Sequence, residues 1–153
     1  MTNKELYREL CLRTSDLPIF MQDWWMDAVC AGKQWDVLLS YDSNGNIQAA
    51  MPYLIRKKAW MKYIVMPQQT QIGGVWMSSA VSDNSNTVSE ICQDFAHQLA
   101  ELGLSYYYQH YPLGSPAVEA MRTLGFKIKE RVTYTGKTLD ECKQAINAHF
   151  GRL

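Results

Sequence analysis

The chain has 153 residues, 47% of them hydrophobic, and fifteen Lys and Arg balance fifteen Asp and Glu, for a formal net charge of zero. That length suits one globular domain, read as spanning residues 1–153, with enough apolar surface for a sizeable core. Balanced charge excludes attraction of polyanions through bulk charge, so nucleic acid is not an expected partner.

No apolar run approaches the ~18 residues of a membrane span, and polar residues 1–5 carry no signal-peptide core. Cys11, Cys30, Cys92 and Cys142 are scattered with no C-x-x-C pair. They point to single buried thiols in a reduced, cytoplasmic protein rather than to zinc or disulfides. His97, His110 and His149 make no H-x-x-x-H pair, so no metal is expected.

Thr2-x-x-Glu5 is a capping box, followed by the apolar helical stripe Leu6, Tyr7, Leu10 and Cys11. After Asp16-Leu17-Pro18 a second helix is predicted over about 21–31, with Trp24, Trp25, Ala28 and Val29 apolar and Gly32 as its stop. Trp24 and Trp25 cannot face the same way, so one is expected to look toward a groove or a partner. A hairpin follows. Trp35, Val37, Leu39 and Tyr41 alternate, Asn44-Gly45 supplies positive φ, and Ile47, Ala49, Met51, Tyr53 and Ile55 alternate again. Pro52 lacks a ladder N–H and marks an edge or a bulge. Arg56-Lys57-Lys58 reads as a solvated strand end.

A third strand over about 62–66 ends at Pro67 and opens into a polar loop with Gln68, Gln69, Thr70, Gln71 and Gly73-Gly74. Such a loop leaving a strand is a common place to hold a ligand. Thr87-x-x-Glu90 is a second capping box. It opens the clearest helix, with Val88, Ile91, Cys92, Phe95, Leu99 and Leu102 on one face and Gly103 at its end. Residues 104–111, aromatic on both faces, predict a central strand. Ser115 as N-cap and Pro116 at the first position begin a short helix stopped by Gly125. Phe126, Ile128, Val132 and Tyr134 alternate in a last strand, with Glu130 on its buried side. Thr138-x-x-Glu141 caps a final helix through Leu139, Cys142, Ala145, Ile146 and Phe150.

This order implies an α+β fold and resembles the GNAT acyltransferase superfamily, a mixed, mostly antiparallel sheet flanked by helices. Residues 121–128, a short helix turning through Leu124-Gly125-Phe126, are similar to that family's usual end. Residues 17–29, together with Trp35-Asp36-Val37, residues 51–54 and residues 63–67, resemble the first domain of Fem-type peptidoglycan-bridge aminoacyltransferase relatives. Members of that branch usually carry two such domains. The resemblance implies a transferase joining an acyl or aminoacyl group to an amine of a peptide or cell-wall-precursor substrate. It also implies a strand that splays away to open a donor cleft. This chain would correspond to the first of the two domains, either as a complete short relative that dimerises or as a remnant.

The family's Arg/Gln-x-x-Gly-x-Gly/Ala loop, whose backbone N–H groups hold a CoA pyrophosphate at the long helix, is not matched. Ile72 stands three residues after Gln69, and Gly73-Gly74 lies well short of the helix. The acetyl-CoA signature is therefore absent, and the donor, acyl-CoA or aminoacyl, stays unknown. Gly73 and Gly74 read either as a plain turn or as phosphate contacts. Gln68, Gln69 and Gln71 could bind a substrate amide, with Trp24, Tyr53 and Trp76 as aromatic neighbours, or lie in a solvated loop. His110 and Tyr108, at the end of the tyrosine-rich strand, are the candidate acid–base pair, with core packing as the other reading. The alternative function is a non-catalytic binding or dimerisation module that keeps the scaffold. Gly136-Lys137-Thr138 mimics the end of a P-loop but lacks its earlier glycine.

Overall fold

In the computed structural model of the protein, which describes residues 1–31 and 34–131 together with Thr138, Asp140, Glu141, Lys143, Gln144 and Ala148, the sheet is built on one long strand. That strand is β2 (Ile47–Lys58). The hairpin alternation pairs it with β1 (Trp35–Tyr41), antiparallel and in continuous register from Trp35↔Leu54 to Ser40↔Ala49, with an irregularity at Ser40/Tyr41. Gly45, at φ +81°, takes the left-handed position of the connecting turn, and the Asp42 carboxylate accepts from the Asn44 and Asn46 N–H groups.

The other edge of β2 is shared. β3 (Met61–Val65) pairs with its end, Leu54–Lys58, and β4 (Trp76–Met77) pairs with Ala49 and Ala50. Both run antiparallel to β2, so residues 66–75 are an excursion from one interrupted edge strand. β5 (Tyr106–Tyr107) adds parallel to β3, giving the order β1-β2-β3-β5 in a mixed, mostly antiparallel α+β sheet.

Alternation along β2 feeds two cores. Ala49, Met51 and Tyr53 face α3 (Ser85–Glu101) and α4 (Ala117–Thr123), packing with Val88, Ile91, Cys92, Phe95, Leu99 and Met121. Ala50 and Leu54 face α1 (Asn3–Arg13) and α2 (Asp23–Cys30), packing with Tyr7, Leu10, Met26 and Trp35. The Thr2/Glu5 capping box forms at α1, and Arg8 ties that helix to Asp23 and Asp27 of α2 at 2.8 Å each. Thr138 and Glu141 exchange the two bonds of a capping box as well.

Several expectations are corrected. α2 stops because Ala31 itself takes φ +46°, and its buried face is Met26 and Cys30 while Ala28 is exposed. Asn84, not Thr87, caps α3, since its carboxamide oxygen accepts from both Asn86 and Thr87 N–H and starts the helix earlier. Pro116 is the N-cap of α4, and the buried Ser115 Oγ has no partner. Among the described residues β5 is an edge strand of two residues rather than a central one. Residues 126–131 make no sheet pairing among the described residues, and Glu130 is exposed. The rest of that strand, the stop at Gly32, most of the final helix, Cys142, His149 and Gly136-Lys137 fall outside the described residues.

Candidate functional site

Beyond Tyr107 the β3 and β5 strands part. The last sheet-like bond is Tyr108 N–H to the Ile64 carbonyl at 3.0 Å. The excursion 66–75 enters the resulting gap. Gly73 N–H donates to the His110 carbonyl at 2.7 Å, and Gly74 N–H donates to the Gln109 side-chain oxygen. The same carboxamide donates through Nε2 to the Pro52 carbonyl at 3.1 Å. Gln109 thus stands in for the strand residue that β2 lacks opposite Pro52. In a strand the N–H and C=O of one residue point the same way, so the missing Pro52 N–H faces this gap. The edge that its sequence demands is local, at the break between β3 and β4.

Both glycines are needed for close approach. A Cβ on Gly73 would sit 3.1 Å from Gln109 Oε1, and one on Gly74, at φ +80°, would sit 2.8 Å from the Tyr111 ring. The Tyr111 hydroxyl is 2.9 Å from that of Tyr107, which reaches the Met51 sulfur. Burial drives both phenols well above the usual tyrosine range. Beneath them burial pushes the Cys92 thiol up to about 11.

The outward side of the same segment holds Tyr108 and His110. His110 Nδ1 lies 3.2 Å from the Gln71 carbonyl and Nε2 lies 2.9 Å from the Tyr108 hydroxyl. A carbonyl only accepts, so Nδ1 carries the hydrogen, and the Nε2 lone pair of the corresponding imidazole tautomer faces the Tyr108 O–H. Tyr108 stacks on Tyr106 at 6.3 Å between centroids. On the far side of Gln71, Thr70 Oγ1 accepts from Trp25 Nε1 at 3.1 Å, and Trp25 packs edge-on against Trp24, which is 53% exposed. A half-exposed strip therefore runs from α2 across the excursion to β5.

The predicted residues divide accordingly. Trp24, Gln71, Tyr108 and His110 lie on that strip, with Gln68 and Gln69 exposed on the same excursion. Trp76 and Tyr53 are in the cores at 8% and 3% exposure. Tyr53 also floors a separate cleft of about 510 Å³ bordered by Lys4, Asp36, Lys57 and Lys62. Burial first, and then the Asp36 charge, raise the Tyr53 phenol to about 12. In the sequence Gln109 and Tyr111 read only as members of the 104–111 strand, and Asn84 only as a turn residue. Only the Gly73-Gly74 pair signalled that something must approach closely there.

A CoA pyrophosphate does not fit here. The two glycine N–H groups are taken by the chain itself, and the Asn84 side chain takes the Asn86 and Thr87 amides of α3. Between the excursion, the short 3-10 turn Ile19–Met21 and α2 only about 10 Å³ remains, room for a single water. No described helix is long and apolar enough to cross a membrane. No group of three metal-binding side chains comes together among the described residues.

No family model matches the chain, and no curated protein matches it. Solved structures similar in chain path include a candidate acetyl transferase from Pyrococcus furiosus, 12% identical over 88% of this chain and 91% of that one, with a TM-score of 0.48. A ribosomal-protein-alanine N-acetyltransferase from Brucella melitensis biovar Abortus is 8% identical over 89% and 93%, with a TM-score of 0.49. An aminoglycoside 6′-N-acetyltransferase from Acinetobacter baumannii is 15% identical over 88% and 90%, with a TM-score of 0.44. All three scores fall below one half.

Proposed function

We propose that the protein is a GNAT-like, Fem-type acyl or aminoacyl transferase domain in which Tyr108 and His110 handle the proton of an attacking amine. The observation that carries this reading is the tautomer fixed by the Gln71 carbonyl, which leaves Nε2 as a base behind the Tyr108 hydroxyl. The amine nitrogen attacks the acyl carbon and the bond to the leaving group breaks. The amine proton passes to Tyr108 Oη as the phenolic proton passes to His110 Nε2. The imidazolium, still held through Nδ1–H, returns that proton to the leaving group through Tyr108. Overall, amine and acyl donor give amide and protonated leaving group. The donor is an aminoacyl or other activated acyl group without the family's pyrophosphate grip, and the acceptor amine belongs to a peptide or cell-wall-precursor type of molecule. The setting is cytoplasmic.

The test is amide formation, followed by mass spectrometry, from aminoacyl thioester and ester donors with amine acceptors. His110→Ala should lower the rate about 10²–10⁴-fold. Calorimetry should show no acetyl-CoA binding at millimolar concentration. A wild-type protein that makes no amide from any donor would overturn the reading.

A second reading has its own observation: the gap between β3 and β5 is filled by Gly73 and Gly74 rather than left open. A non-catalytic module that keeps the scaffold and pairs with a second copy accounts for such a plug. Light scattering that finds a strict monomer at high concentration would count against it.

A further inference from the structure

Register places a second set of side chains beside the Tyr108–His110 pair. Arg56 pairs with Tyr63 across β2 and β3, and Tyr63 pairs with Tyr106 across β3 and β5, so the three form one row on one face. It is the face opposite Ile64 and Tyr107, which belong to the α3 side. Tyr108 and His110 continue it along the chain from Tyr106, joined by the stacked and edge-on ring contacts. Tyr63, Tyr106 and Tyr108 belong to neither core, and Tyr106 is 55% exposed.

At the far end of the row sits an unanswered cation. Arg56 Nε is shielded from solvent and has no hydrogen-bond partner, and no carboxylate pairs with the guanidinium among the described residues, so Nη1 and Nη2 are the atoms that can meet a ligand. Lys58 follows on the same face, and the alternate positions of β2, β3 and the 106–110 segment that share it hold no acidic side chain. A guanidinium in such a place suits a carboxylate, which it can grip with two parallel hydrogen bonds.

The sheet gives the spacing. Arg56 and Tyr106 are two strands apart, about 10 Å, and Tyr108 lies about 7 Å further along, so the backbone positions of Arg56 and Tyr108 are roughly 12 Å apart across the tyrosine row. We propose that this face binds an elongated acceptor whose carboxylate pairs with Arg56 and whose amine, about 10 Å away, reaches Tyr108 and His110. The assignment of the ligand as the acceptor rests on the transfer reading above. A free α-amino acid holds its two groups too close to span the face, whereas an extended chain of about three residues at ~3.4 Å each matches it. A polycation would meet Arg56 and Lys58 with like charge.

Binding tests this without any donor. Calorimetric titration would use tri-alanine, tri-alanine amide, alanine and the polycationic aminoglycoside kanamycin. Tri-alanine should bind about tenfold more tightly than its amide, with alanine and kanamycin weaker still. Arg56→Gln, its fold checked by circular dichroism, should erase the preference for the acid over the amide, and Arg56→Lys should keep part of it. His110→Ala should leave the preference intact. Equal affinity of the wild type for acid and amide, no binding of tri-alanine, tighter binding of kanamycin, or a preference that survives Arg56→Gln would each overturn the proposal. A normal preference in a protein that forms no amide would instead sink the reaction and leave the ligand assignment standing.

Discussion

Odd and even residues of the 106–111 segment live in different surroundings, although the segment leaves the sheet after its second residue. Tyr107, Gln109 and Tyr111 turn inward. They reach Met51, Pro52, Gly74 and each other, and the two phenols are buried with their pKa values driven up. Tyr106, Tyr108 and His110 turn outward as a ladder that ends on the Gln71 carbonyl. Period-two alternation thus outlasts the strand, because the Gly73–Gly74 plug takes the place of the missing neighbour. The inward set holds the excursion in place, and the outward set stays at the surface.

The sharpest way to break this contrast is to disturb the plug. Gly74→Ala adds a Cβ within 3 Å of three Tyr111 ring atoms at a residue whose φ is +80°. The ring cannot swing away without losing its bond to Tyr107. Left-handed strain and overpacking together should cost about 3 kcal/mol, read as a fall in the urea midpoint at unchanged m-value. The Tyr108–His110 bond should then loosen, because the plug and the ladder share His110. Gln109→Leu should cost about 2 kcal/mol, since it leaves both the Gly74 N–H and the Pro52 carbonyl unpaired. Gln109→Glu keeps an acceptor for Gly74 but no donor for Pro52, so equal losses in the two variants would show that the Pro52 bond dominates.

The inward phenols should also reveal themselves in alkali. Burial raises the folded-state pKa of Tyr107 and Tyr111 above the unfolded value of about 10. Their contribution to stability is therefore complete below about pH 10 and is lost as pH rises toward the folded values, because the unfolded chain releases those protons first. Above about pH 10 each tyrosine should add about 1.4 kcal/mol per pH unit to the loss. Tyr111→Phe should flatten the curve by about that slope, and unchanged alkaline unfolding would contradict the inward assignment.

The sequence made this contrast only half legible. The stripe of α3 follows from a period of 3.6 that burial confirms, and the hairpin of β1 and β2 follows from alternation around Asn44-Gly45, although both faces of its strands turn out buried. The second core is not legible there, because the alternation of Trp35, Val37 and Leu39 leaves Leu38 aside, and Leu38 packs on the α3 side. What could not be read is where chain segments return. Nothing local tells that Trp76 and Met77 rejoin β2 on the edge β3 has just left, so the excursion looked like an open ligand loop instead of a plug. Asn84 and Thr87 are both good caps, and only the geometry chooses between them. Arg56 read as part of a solvated charge run because its row with Tyr63 and Tyr106 exists only once β5 pairs with β3.

The outward ladder should be the least costly part to remove, and that is its test. Tyr108 and His110 are half-exposed, so water can replace the bond between them. His110→Gln should therefore change the unfolding free energy by no more than about 0.5 kcal/mol, a surface-sized effect. Tyr108→Phe should do the same, and a double-mutant cycle between the two should give a coupling of similar size. Amide formation should nonetheless fall steeply in both. A loss near 2 kcal/mol in His110→Gln would mean that the ring's grip on the Gln71 carbonyl helps pin the excursion. The outward set would then be structural like the inward one, and the proton relay would lose its main support. Small stability changes joined to a large loss of turnover would separate the two sides of the segment by function as well as by burial.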